Sequence, residues 1–197
     1  DKETIISILD SDGEDNPNMV KKLIKLVNLK KDYFIFASRK KRTENNFLKA
    51  LNQFRLIITF ILTGKYINFG NFSSFPSFLL NKILSNNNLY LAYSSGVLKN
   101  YNKFFFVKIK KNKRFYGNSK VNLKFLILHT VKIISVFYKT VFLRTFFLLV
   151  LTLLFLEDIK LKIIIILFFL IINLILAGIN IFLKPKKINL SIIKSIT

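Results

Sequence analysis

Between Ile163 and Leu183 the chain runs for 21 residues without one charged side chain. As a helix rising ~1.5 Å per residue, such a run is about 32 Å long and matches a bilayer core of ~30 Å. A second apolar run, Thr140 to Leu156, precedes it and carries a single charge, Arg144. Six residues, Glu157 to Lys162, separate the two. Inside hydrocarbon every backbone N–H and C=O must be satisfied within its own segment, and a helix achieves this. The two runs are therefore expected to form a transmembrane helical hairpin over residues 140–183. The competing reading is a helix pair buried in the core of a soluble protein. Length and missing charge favour the membrane.

The second run carries a distinctive face. Asn173 and Asn180 are seven residues apart and share one side of a helix, with Ala177 and Gly178 between them. The set Asn173, Ala177, Gly178 and Asn180 is the expected helix interface, because small and amide side chains allow close approach and interhelical hydrogen bonds. Ile164, Ile165, Phe168 and Phe169 are expected to face lipid or other hydrophobic subunits.

Charge sets the next constraint. The net charge is +22, and six of the ten acids lie in the first fifteen residues. From Asn45 to Leu156 there are sixteen Lys or Arg and no acid. A field of that sign calls for an anionic partner: lipid headgroups, RNA or acidic protein surfaces. Lys, Asn, Ile and Phe crowd the chain, with 22 Phe, while Cys and Trp are absent. In this bias it is similar to proteins encoded by AT-rich organelle genomes, notably those of protist mitochondria. The resemblance lies in composition and implies a mitochondrial setting.

The hairpin is expected to follow a small basic extramembrane domain, α+β or irregular, giving a mainly α membrane protein. Residues 1–16 form an acidic segment. Asp10 opens a stretch with some likeness to a calcium loop, but its twelfth position is Lys21 where a bidentate Glu is required. Residues 17–123 form the basic domain. Asn16 before Pro17 predicts a helix start, and Val20, Leu23, Ile24 and Val27 recur at helical spacing. Asp32 to Ser38 reads as a short strand or helix end. A helix follows over residues 44–63, capped by Thr43, with Gly64 at its C′ position. Residues 64–102 read as loop, broken at Pro76, with a short helix over 78–84 and a strand over 89–93. Phe104 to Lys110 alternates as a strand and is expected to return as a hairpin through residues 111–116. Residues 124–139 are expected to form an interfacial helix, and 184–197 a basic tail.

Chemistry is bounded by what is missing. Without Cys there is no disulfide, thiolate metal site or thiol nucleophile. His129 is the single histidine, with no acid between residues 45 and 156 to orient it. Neither a catalytic triad nor a multi-ligand metal site has local support. No cofactor is expected and the chain reads as a non-enzyme.

These features point to a structural or accessory membrane subunit of a mitochondrial inner-membrane complex, with the respiratory chain as first expectation. The alternatives are an organellar ribosomal protein, binding rRNA through its basic region, and a membrane transport or assembly factor. Cations near spans mark the side that is not translocated. They crowd the outer ends of the hairpin, so both termini are expected in the matrix and residues 157–162 in the intermembrane space. Anionic lipid, cardiolipin in particular, is expected at Lys139, Arg144, Lys184, Lys186 and Lys187.

Overall fold

A computed structural model describes residues 4–39, 46–84, 87–109 and 123–183. Its sheet is built around one strand that the sequence makes apolar on both sides. In β2 (Phe34–Arg39), the residues Phe34, Ile35, Phe36 and Ala37 are all buried. A strand with two buried faces reads as a continuous apolar run and needs cover on each side. Ile35 and Ala37 pack with Leu23 and Val27 of helix α1 (Asn18–Leu29). Phe34 and Phe36 pack with Phe75, Leu79, Ile83 and Val97 on the opposite face. The Phe34 and Phe75 rings stack with centroids 4.2 Å apart.

Three further strands complete the sheet: β1 (Ile5–Ile8), β3 (Ser73–Pro76) and β4 (Phe104–Ile109), in the order β1-β3-β2-β4. β3 runs antiparallel to both β1 and β2. β2 and β4 are parallel, in register from Phe34–Phe104 to Arg39–Ile109. The acidic N-terminal segment thus supplies an edge strand to the same sheet as the basic region.

Several expectations hold in detail. Asn16 sits just ahead of α1, which begins after Pro17: its side-chain oxygen accepts from the Asn18 N–H at 2.9 Å, and its carbonyl accepts from Met19. Val107 and Ile109 are buried while Lys108 is exposed. Helix α2 (Asn46–Thr63) ends at Gly64, whose φ of 70° is the left-handed conformation that favours glycine. Thr43 and residues 111–116 lie outside the described residues.

Others need correction. The segment 64–102 is largely structured. Ser73 to Pro76 forms an inner strand despite its polarity, because the buried hydroxyls find partners. Ser74 Oγ meets Ser7 Oγ at 2.7 Å, and Ser73 Oγ meets the Tyr93 hydroxyl at 2.8 Å. Pro76, which lacks an N–H, ends the strand. A short 3₁₀ turn then leads into α3 (Leu80–Leu84). Residues 89–93 are no strand: a 3₁₀ turn at Asn87–Tyr90 is followed by α4 (Tyr93–Asn100). Gly96 permits this, since a Cβ there would lie 2.8 Å from the Leu89 backbone nitrogen. β4 takes β2 as its described partner, in parallel and far away in sequence, which local alternation cannot reveal.

Beyond the sheet lie α5 (Leu123–Val136), α6 (Tyr138–Phe155) and α7 (Ile159–Phe182). α5 and α6 are nearly continuous and part at Phe137, where ψ is 22°. Ile133, Ile134, Val136, Phe137, Val141 and Leu176 form a third core with Ile67, Leu91 and Ala92. The turn between α6 and α7 is shorter than the sequence suggests. Asp158 Oδ1 accepts from the Lys160 and Leu161 N–H groups at 2.7 and 3.1 Å, so the helix starts at Ile159. Both α6 and α7 are long and apolar enough to cross a membrane.

Candidate membrane and subunit interface

The hairpin is apolar, and most of its side chains are uncovered by the rest of the chain. Leu154, Phe155, Phe168, Leu174 and Phe182 are all more than 60% exposed. A helix hydrophobic all round is buried in protein or lipid. Here the chain covers little of it, so the covering must come from outside.

One stripe of α7 does face the protein. Asn173 Nδ2 donates to the Phe169 carbonyl at 2.9 Å and to Thr145 Oγ1 of α6 at 3.2 Å. Asn180, 3% exposed, donates to Asn88 Oδ1 at 2.8 Å and to the Ser135 carbonyl at 2.9 Å. Leu176 is buried between them. The two amides thus tie α7 to α6, to α5 and to the 3₁₀ turn before α4. Ala177 and Gly178 are only half-buried. A Cβ added to Gly178 would meet Phe182 Cδ2 at 3.8 Å and no other element. Within the chain the stripe therefore runs through Asn173, Leu176 and Asn180. Ile164 and Phe168 point outward, whereas Phe169 packs its ring near Phe142 and Phe146 of α6.

The charge inside α6 has an internal partner. Arg144 Nη1 donates to the Ile61 carbonyl at 2.9 Å, one of the last in α2. Those carbonyls lack helical partners and carry the negative end of the helix dipole, so a cation there is stabilising. Gly64 makes room: a Cβ on it would lie 2.6 Å from Arg144 Nη2. Gly64 as a helix terminator is legible in the sequence; the arginine that joins it, 80 residues on, is not.

Lys139 is exposed on the first turn of α6, while Lys184, Lys186 and Lys187 lie outside the described residues. His129 stacks on Phe125 at 5.8 Å. Burial holds its pKa below the ordinary histidine value, and the charges of Arg55 and Lys132 push the same way. Among the described residues no three His, Asp or Glu side chains come together in a way that could hold a metal ion.

A scan of protein-family models found no match to this chain, and comparisons with curated proteins and with solved structures found none either.

Proposed function

We propose that this chain is a structural, non-catalytic integral membrane subunit of a mitochondrial inner-membrane complex, with the respiratory chain as its setting. One observation carries the membrane part: two consecutive apolar helices whose outer surfaces the protein leaves uncovered. The small sheet domain and its basic surface would pack on neighbouring subunits. Anionic lipid, cardiolipin first, would gather at Lys139, Lys184, Lys186 and Lys187. Arg144 would add to that charge while its Nη1 holds α2.

The organelle and the complex rest on composition and charge, so the test must address them. After alkaline carbonate treatment the protein should stay in the membrane pellet. On a blue-native gel read by mass spectrometry it should comigrate with an inner-membrane complex. Release by carbonate sinks the membrane reading. RNase-sensitive migration with ribosomal subunits would favour the rRNA-binding alternative, which the +22 net charge supports.

A further inference from the structure

A cleft of about 610 Å³ lies where the sheet domain meets the start of the first span. Its lining includes Lys65, Lys82 and Lys99, the Tyr101 ring, and Phe137 and Thr140. Three separate elements deliver the three lysines. Lys65 follows Gly64, which abuts Arg144 in the second turn of α6. Lys82 comes from α3 and lies over the Tyr101 ring at 6.0 Å. Lys99 lies in the last turn of α4, donates to the Val136 carbonyl at the end of α5, and lies 5.8 Å from the Tyr138 ring centroid. Among the described residues no carboxylate lines the cleft. The charge of Asp32 reaches Tyr101, but its carboxylate is ion-paired with Lys103 at 3.3 Å.

Depth identifies the ligand class. Phe137 and Thr140 bracket the first turn of α6, where the chain enters the apolar span. In a bilayer that level is the headgroup region, and its fixed anion is phosphate. Basic pockets beside spans bind such headgroups, and each ammonium brings three hydrogen-bond donors. We propose that the cleft formed by Lys65, Lys82 and Lys99 binds the phosphate of an anionic lipid headgroup at the mouth of the hairpin. The proposal rests on the membrane reading above and adds to it a site distinct from the basic tail.

The test uses the full chain purified in neutral detergent. It is incubated with equimolar phosphatidylglycerol and phosphatidylcholine of matched acyl chains, and bound lipid is counted by native mass spectrometry. Phosphatidylglycerol should dominate. In the double variant Lys65→Gln/Lys82→Gln that preference should fall roughly thirtyfold. It should survive in Lys65→Arg/Lys82→Arg, and in Lys186→Gln/Lys187→Gln, which alters only the tail. Both cleft lysines are exposed, so the fold should persist, and circular dichroism checks this. Equal binding of the two lipids, or loss only in the tail variant, overturns the proposal. A parallel melt with inorganic phosphate separates the sources: a raised Tm without lipid preference puts a free anion in the cleft and overturns the headgroup. If the cleft fails while the protein stays carbonate-resistant, the membrane reading stands.

Discussion

Arg144 shows how one charge in an apolar run can be made tolerable by the protein itself. Its hydrogen bond to Ile61 and the space at Gly64 form a single device. Arg144→Gln should destabilise the detergent-solubilised protein by about 1–3 kcal/mol, since bonds to charged groups are the stronger ones. Gly64→Ala should cost about 1–2 kcal/mol from its positive φ alone, with crowding of the guanidinium in addition. The double variant should cost less than the sum, because both changes strike one contact. Thermal melts of the three proteins measure this, and strict additivity would show that the two residues act apart. His129 makes a different forecast. Its folded-state pKa lies below the ordinary 6.5, so the unfolded chain binds the extra proton first. Stability should therefore fall as pH drops from about 6.5 toward the lowered value, and level off below it. Melting curves between pH 8 and 5 should show that loss, and His129→Gln should remove it. An unchanged pH profile in the variant would assign the loss to other groups.

At the scale of elements, the hairpin has company. Phe54, Ile57, Phe60 and Ile61 on α2 are each more than 50% exposed, as are Ile127 and Leu128 on α5. These apolar faces belong to helices that share a core with α6 and α7, through Ile58, Leu62, Ile133 and Ile134. They are expected to lie in the membrane interface beside the spans. The absence of Trp gives a background-free test. Phe54→Trp, Phe60→Trp and Phe125→Trp should be quenched by brominated lipid in liposomes. Phe106→Trp, on the sheet domain, should not be; equal quenching at all four would remove the distinction. Gly178 is another test at this scale. The chain leaves space around it, so Gly178→Leu should fold normally yet lower the yield of the assembled complex. Normal yield would show that no partner approaches there.

The same elements show what was legible in advance. Long hydrophobic runs announce α6 and α7, because an apolar stretch of that length has to satisfy its backbone within itself, as a helix does. The start of α1 just after Asn16 and Pro17 and the end of α2 at Gly64 are local chemistry. The strand at Ser73–Pro76 was hidden because its hydroxyls become acceptable only once Ser7 and Tyr93 are nearby. The Asn180 half of the helix interface was visible as an amide in an apolar run. Its partner Asn88 was not, since pairing across 92 residues leaves no trace in spacing.

For the whole molecule, the proposed membrane reading has two spans, which return the chain to the side it left. On that reading the sheet domain and the tail share one compartment, which the cation excess near the spans predicts to be the matrix. Protease added to intact mitoplasts should spare residues 1–120, and digestion of that region would invert the topology. The order of synthesis gives the Asn88–Asn180 bond a further consequence. Asn88 emerges early, with the sheet domain, while Asn180 sits in the final turn of α7. On the proposed membrane reading, the amide pair closes only after both spans are inserted and the second has returned. A ribosome that stalls before residue 180, or a hairpin that fails to insert, leaves Asn88 without its Asn180 amide. On that reading the bond marks completed insertion, since the turn at Asn87–Tyr90 gains its Asn180 amide only when the hairpin is in place.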